Sequence, residues 1–434
     1  MVYLSTYLSI YLHLDTARLG PVLPPSGLAP PGARSRAPTA MLLAASAAAL
    51  GLVLPTALPT YFTCRHTYES VLQEELVTSH ALAADDCSSP LPGLVRVERS
   101  PAGLDPVYAL QALPGAVEVS GASVKSLAAA LVAALLASSD VDALRSAPRG
   151  ALAVHELVPA MLRGVSPTGR TKPALSRRCA AVAEAAGEQL RGQFACARPL
   201  RASDPEPEQR WLLQLLMLEP EELVASVCRI TPVPVVGGSW PCAYPAGLAA
   251  GSSRRYDAVA ACETMPSSAY RKLLEALACC GEEPSPTSTV FDLGASPGGW
   301  TAALRQIGCG VVAVDRSPLS KELMADGQVT FVQGDAFTFE PAEAQAGGWM
   351  VSDIIAYPER VTELLERWGG SGWAERMVLT MKFQGERPSW EALDTAMAAA
   401  AELGYACRAK HFFSNKNEIT LMLARRAAGA RPEP

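Results

Sequence analysis

The stretch Phe291-Asp292-Leu293-Gly294-Ala295-Ser296-Pro297-Gly298-Gly299-Trp300 decides how the C-terminal third of the chain is read. An apolar run ends in a glycine turn, and the helix-forming WTAALRQI begins at once. Glycines let a backbone approach a ligand closely, and a helix N-terminus presents N–H groups that have no partner within the helix. The spacing is not the Gly-x-Gly-x-x-Gly of dinucleotide-binding turns, because Ser296 interrupts it and the glycines stand at 294, 298 and 299. Further on, Val311–Asp315 (VVAVD) ends a second strand in an acid. A carboxylate at that position grips the hydroxyls of an adenosine ribose. A third strand end carries Gly334-Asp335, where Asp335 suits an adenine amino group. A lone glycine turn would be weak evidence. Asp292, Asp315 and Asp335 at three successive strand ends make a nucleotide-type ligand the better reading.

Beyond Ser267 the periodicities alternate regularly. A helix over Ala269–Cys279 precedes TVFDLG. After GVVAVD come a short helix near Ser320–Ala325, then strands VTFVQGD and WMVSDI. Helix PERVTELLERW, strand RMVLTMKF and helix SWEALDTAMAAAAELG follow, and ACRAKHFF and EITLMLA, joined by SNKN, close the pattern. Strands alternating with helices predict an α/β fold, a Rossmann-like doubly wound, parallel-rich sheet over residues 266–426. An α+β region over 61–235 precedes it, with room for two subdomains. There TYFTCRHTYESVLQEELV reads as strand, turn and helix, and VYALQALPGAVEV as two strands about a Pro-Gly turn. SVKSLAAALVAALLA reads as a helix, and WLLQLLML with LVASVCRI as a hairpin of buried strands. Residues 140–201 read as two helical stretches and a basic loop, Arg163–Arg178, with Arg170, Lys172, Arg177 and Arg178 as candidate RNA contacts. Residues 236–265, rich in Pro, Gly and Ser, read as a linker, and 427–434 as a disordered tail.

Composition excludes several classes. A chain of 434 residues is long enough for two or three cores. Its net charge of −6 argues against a protein that coats nucleic acid unselectively, though not against a local basic groove. The 11 cysteines are scattered, odd in number and without a Cys-x-x-Cys pair, so neither a zinc site nor a disulfide framework is expected. Residues 1–60 read as a leader. Met41–Leu54 is an apolar run too short to span a bilayer. With Arg34 and Arg36 upstream it suits a targeting peptide, which implies an organelle, or the cytoplasm if the leader has no such role. No membrane association of the mature chain and no metal are expected.

Four more charges stand at comparable edges: Lys272 on the leading helix, Asp353 after the strand WMVS, Lys382 after RMVLTM, and Glu418 opening the last strand. An isolated lysine is ordinarily a solvated charge. One that follows a run due for burial is costly without a purpose. The motifs DLGASPGGW, SDI, MKFQGE and NEITLML, in this order and spacing, resemble the FtsJ/RrmJ ribose 2′-O-methyltransferases. LMADGQVTFV and WMVSDIIAYPERV, with Pro358, resemble the RlmM-type branch, which acts on a cytidine of large-subunit ribosomal RNA. The resemblance runs from about Pro266 to Ala424. It implies S-adenosylmethionine as cofactor, held by Asp292, Gly294, Ser296, Pro297, Gly298, Gly299, Trp300, Asp315, Asp335 and Asp353. It also implies a catalytic tetrad of Lys272, Asp353, Lys382 and Glu418. YFTCRHTYESVLQEEL and the later hairpin resemble that branch's RNA-binding region, which includes a THUMP-type domain. Two departures touch the RNA side: Ser268 stands where the family usually has Arg, and Ile354 where Met is common.

The chemistry can be argued without the family. A ribose hydroxyl must lose its proton as it attacks a sulfonium methyl, and Lys382 is the candidate base. Only a neutral amine can accept a proton, and a free lysine titrates near ~10.4, so burial and a neighbouring cation such as Lys272 would have to assist. Two rivals stand beside this reading. A small-molecule O-methyltransferase explains the glycine loop but not two lysines with two acids. An inactive RNA-binding or ribosome-assembly protein predicts erosion of the tetrad, which is intact.

Overall fold

A computed structural model describes residues 58–157 except 102, 174–230 except 206, 208 and 209, and 265–426 except 281, 343–347 and 386. The leader through residue 57, residues 158–173 of the basic segment, the linker up to residue 264 and the tail 427–434 lie outside the described residues.

The N-terminal half holds two four-stranded sheets. In the first, β1 (Thr60–Thr63) runs into helix α1 (Glu69–Thr78), followed by β2 (Cys87–Leu91), β3 (Leu94–Val97) and β4 (Gln111–Leu113). The order is β2-β3-β1-β4, with β1 antiparallel to both neighbours. α1 buries Val71, Leu72 and Leu76, three positions on one helical face, in the cluster that holds Phe62, Val95 and Tyr108. Pro114-Gly115 is not a hairpin turn. Gly115, at φ +56, sends the chain out of this sheet and into the next.

The second sheet contains β5 (Val117–Ser120), helices α2 (Val124–Leu136) and α3 (Val141–Ser146), β6 (Leu152–Leu157), helix α4 (Ala174–Gln193), β7 (Arg210–Glu219) and β8 (Glu222–Ile230). Its order is β5-β8-β7-β6, with β7 and β8 the antiparallel hairpin expected from sequence. α2 begins at a reciprocal Ser123–Ser126 capping box. Leu127, Leu131 and Leu135 of α2 and Val182, Ala186 and Leu190 of α4 cover one face of the sheet against Trp211, Leu213 and Leu215. Two expectations are corrected here. β6 was read as part of a helical stretch; LAVHEL is short and weakly alternating, and parallel pairing with β7 recruits it as a strand. Arg177 and Arg178 lie in the first turns of α4 rather than in a loop, and the Arg178 guanidinium donates to the carbonyls of Pro220 and Ala122, at 2.5 and 3.1 Å.

The C-terminal sheet is built from helix α5 (Tyr270–Cys280), β9 (Thr289–Leu293), α6 (Gly299–Ile307), β10 (Gly310–Asp315), α7 (Lys321–Met324), β11 (Val329–Gln333), β12 (Gly348–Ser352), α8 (Pro358–Gly370), β13 (Ala374–Lys382), α9 (Trp390–Glu402), β14 (Tyr405–Lys410) and β15 (Glu418–Arg425). Its order is β11-β10-β9-β12-β13-β15-β14. The strands are parallel except β15, which is antiparallel to β13 and β14. Every element expected beyond Ser267 is present, and the doubly wound α/β fold is confirmed. α5 and α6 bury Leu273, Leu277, Trp300 and Leu304 on one face. α8 and α9 bury Leu364, Leu365, Trp368, Leu393 and Ala396 on the other. Burial of each leucine among them stabilises by roughly 1.5–3 kcal/mol. Two-sided cover explains why β9, β10 and β12 read as unbroken apolar runs. The chain leaves β9 for β10 on one side and returns to β12 on the other. A crevice therefore opens at the carboxyl ends of β9 and β12.

Candidate active site

The glycine turn and Asp353 flank that crevice, and the topology delivers the remaining charges to it. Lys382 ends β13 and Glu418 opens antiparallel β15, and the two are register partners. Lys272 arrives on α5, which is tied to the glycine turn by the Trp300 indole N–H donating to Ala269 O at 2.8 Å.

The four side chains form one connected group. Lys272 Nζ lies 2.9 and 2.8 Å from the two Asp353 oxygens and 2.8 Å from Glu418 Oε1. Lys382 Nζ lies 3.1 Å from Asp353 Oδ1 and donates to the Asp353 carbonyl at 2.6 Å. Asp353 is thus shared by two amines, and Lys272 by two carboxylates. The Lys272 and Glu418 side chains are each 9% exposed, whereas Lys382 is 22% exposed. Partial burial of two cations and two anions is tolerable because their sum is neutral and each is hydrogen-bonded. Lys382 is the most open of the four.

The glycine turn is held from within. Gly294 has φ +75 and Gly298 φ +108. A Cβ on Gly294 would lie 2.8 Å from Ile354 Cβ, and one on Gly298 2.2 Å from Leu323 Cδ1. Conformation requires glycine at both positions, and at Gly294 the Ile354 Cβ and Cα leave no space for a side chain either. A Cβ on Gly299 would lie 2.2 Å from Ser267 Oγ, a hydroxyl that can turn aside. Asp315 accepts from the Ser296 N–H at 2.9 Å and from the Ser317 N–H at 2.8 Å, and Ser296 Oγ donates to Pro318 O at 2.9 Å. Asp335 accepts from Phe337 N at 2.9 Å and from Arg316 at 2.6 Å, and these contacts hold its carboxyl below the usual range. Asp292 is fully enclosed. Burial pushes its carboxyl up to about 7, and the Thr301 hydroxyl, at 2.6 Å, opposes that shift.

These positions divide the expected cofactor residues into two sets. Asp292 and Trp300 are buried, at 1% and 3% exposure, and brace the turn from behind. Asp315 and Asp335 stand at strand ends beside the crevice, and open space lies above Gly334. No side chain caps α6, whose N-cap is Gly298. An uncapped helix N-terminus with carboxylates at neighbouring strand ends fits an adenosine-bearing ligand whose other end carries a carboxylate. S-adenosylmethionine has that form.

Residues 265–365 match the family described as FtsJ-like methyltransferase. This segment is an FtsJ-like methyltransferase domain. The ribosomal RNA large subunit methyltransferase M of Alkalilimnicola ehrlichii is 37% identical over 150 residues, 34% of this chain and 40% of that protein. Its counterpart from Halorhodospira halophila is 34% identical over 170 residues, 38% of this chain and 49% of that protein. The matches thus span less than half the length of these curated relatives. The crystal structure of TrmN from Thermus thermophilus aligns over 85% of this chain and 99% of its own, at 18% identity and a TM-score of 0.29, a likeness that carries no argument.

The methyltransferase domain also uses residues that sequence reasoning missed. Glu275, one turn beyond Lys272, is buried and accepts from Ser414 N at 3.2 Å and Ser414 Oγ at 2.9 Å. Burial pushes its carboxyl up to about 7, against those two donors. An acid on the apolar face of α5, between Leu273 and Ala276, was the available signal. The loop it holds, Phe412–Asn417, leads directly into Glu418.

Proposed function

We propose that this chain is an S-adenosylmethionine-dependent RNA ribose 2′-O-methyltransferase acting on large-subunit ribosomal RNA. The target implied by the RlmM-type resemblance is a cytidine. The observation that carries the reading is the convergence of Lys272, Asp353, Lys382 and Glu418 at the switch-point crevice, with Asp353 shared between two amines.

Bound S-adenosylmethionine supplies a methyl group on a sulfonium, activated for attack. Asp315 and Asp335 would hold its adenosine, and the turn from Gly294 to Gly298 its amino-acid end. Lys382 receives the ribose 2′-hydroxyl and takes its proton as the oxygen attacks. Asp353 fixes the Lys382 amine through its side chain and its carbonyl. Lys272 holds the same carboxylate from the other side. Glu418 anchors Lys272. The O–CH3 bond would form as the C–S bond breaks, leaving a neutral thioether. Orienting the hydroxyl oxygen for that attack supplies much of the rate, and the proton transfer a further ~10²–10⁴-fold. The two N-terminal sheets, which contain the stretches whose sequence resembles an RNA-binding region with a THUMP-type domain, are the proposed RNA-binding part.

Calorimetric titration with S-adenosylmethionine, followed by methyl transfer to unmodified large-subunit ribosomal RNA, tests the proposal. Binding and transfer are both expected. Transfer to a catechol with none to RNA would favour a small-molecule enzyme. RNA binding without cofactor affinity would favour an inactive assembly protein.

A further inference from the structure

Among the described residues, the N-terminal half reaches toward the tetrad at the Lys416 carbonyl. Lys416 O, in the loop before Glu418, accepts from the Tyr68 hydroxyl at 2.8 Å and lies 2.8 Å from His411 Nε2. Lys416 N–H in turn donates to Glu418 Oε1 at 3.3 Å, the oxygen that lies 2.8 Å from Lys272. On its other side the loop touches the strand end bearing Lys382, where Phe383 N donates to Asn417 O at 3.1 Å. The other supports of the loop, Glu275 on Ser414 and the Asn415 side chain on Phe412 N, come from the methyltransferase domain itself. Tyr68 comes from the segment between β1 and α1.

The His411 ring packs against two rings of that N-terminal half, 4.2 Å from Tyr68 and 4.7 Å from Tyr108. Burial pushes His411 down to about 3, so the ring is neutral. A neutral ring carries one N–H, and Nδ1 finds no acceptor among the described residues, so Nε2 holds the proton and donates to Lys416 O. Both lone pairs of that carbonyl are thereby used, one by each half of the molecule.

We propose that Tyr68 is a positioning residue for methyl transfer: its hydroxyl fixes Lys416 and through it Glu418 and Lys272, so the N-terminal half completes the tetrad as well as meeting RNA. This rests on the functional reading above. Tyr68 touches no reacting atom, and its effect belongs in kcat rather than in RNA affinity.

The test compares wild type, Tyr68→Phe, Glu418→Ala and the double variant in single-turnover transfer, with cofactor and RNA affinities measured separately. Tyr68→Phe keeps the ring on His411 and should lower the rate constant about 3- to 10-fold, as expected for one hydrogen bond. KM for RNA and the cofactor Kd should stay within about twofold. In the Glu418→Ala background the same substitution should add almost nothing, because both act through one carboxylate. Full activity in Tyr68→Phe, a loss confined to RNA KM, or additivity with Glu418→Ala would each overturn the proposal. Hydrogen exchange at the Lys416 and Phe383 amides reads the brace without catalysis, and should be faster in Tyr68→Phe. Wild type inactive on every RNA would sink the functional reading, while unchanged exchange would sink the brace.

Discussion

At the residue scale, Asp353, Lys382 and Glu418 were legible because each stands where an apolar strand ends or begins, a place where an unpaired charge is costly. Lys272, on α5, was legible only through the family resemblance. Glu275, an acid on the apolar face of α5, left a signal, but Tyr68 and His411 matter through contacts that the sequence does not announce. The glycine turn makes two predictions that separate cofactor binding from chemistry. Gly298→Ala places a methyl group 2.2 Å from Leu323 at a backbone angle only glycine tolerates. It should cost about 1–3 kcal/mol in stability and reduce cofactor affinity, read by urea titration and calorimetry. Asp315→Ala removes the acceptor for Ser296 N and Ser317 N. Cofactor affinity should fall at least about tenfold, the worth of one charged hydrogen bond. Wild-type affinity in either variant would remove the turn from the binding site.

At the element scale, strands and helices after Ser267 were readable since two-sided burial turns parallel strands into apolar blocks separated by amphipathic helices. β6 was not readable. Its identity comes from the parallel partner β7, which follows it only after α4. The same stretch misled on charge. Arg178 belongs to folding, because its guanidinium joins the start of α4 to the turn between β7 and β8 and to Ala122. Arg178→Ala should therefore lower stability by about 1–2 kcal/mol in urea, with the salt dependence of RNA binding unchanged. A flattened salt slope with undiminished stability would return this arginine to the RNA-contacting surface.

At the scale of the whole molecule, the two halves are joined through a buried ion cluster. Asp105 lies 2.6 Å from Lys410 Nζ and takes two hydrogen bonds from Arg408 at 2.6 and 2.9 Å, while Lys410 also donates to Pro106 O and Ala109 O. Burial alone would raise Asp105, but Lys410 and Arg408 outweigh it and hold the carboxyl at about 2. A depressed carboxylate stabilises the fold above the unfolded value near ~3.9. That contribution is lost as pH falls through about 2. Asp105→Asn strands two buried cations and should destabilise by about 3–5 kcal/mol. Between about pH 4.5 and 6.5 four other buried groups oppose one another. Burial lowers His155 to about 4 and His411 to about 3, so the unfolded chain holds two more protons on these rings. Burial raises Asp292 and Glu275 to about 7, so the folded chain holds two more on the carboxyls. Each term changes stability by ~1.4 kcal/mol per pH unit, and the four cancel. His155→Gln removes one term that favours unfolding in acid. Its stability, relative to wild type, should rise as pH falls from 6.5 to 5. Parallel urea-midpoint profiles for the two proteins would contradict these assignments.

The most direct measurement digests RNA labelled by the enzyme to nucleosides and locates the methyl group, with Lys382→Ala run beside wild type at saturating S-adenosylmethionine. The account predicts label on the ribose of a 2′-O-methylated nucleoside, and a loss of at least ~100-fold in the variant with cofactor affinity unchanged. Label on a base, or normal turnover by Lys382→Ala, would contradict it.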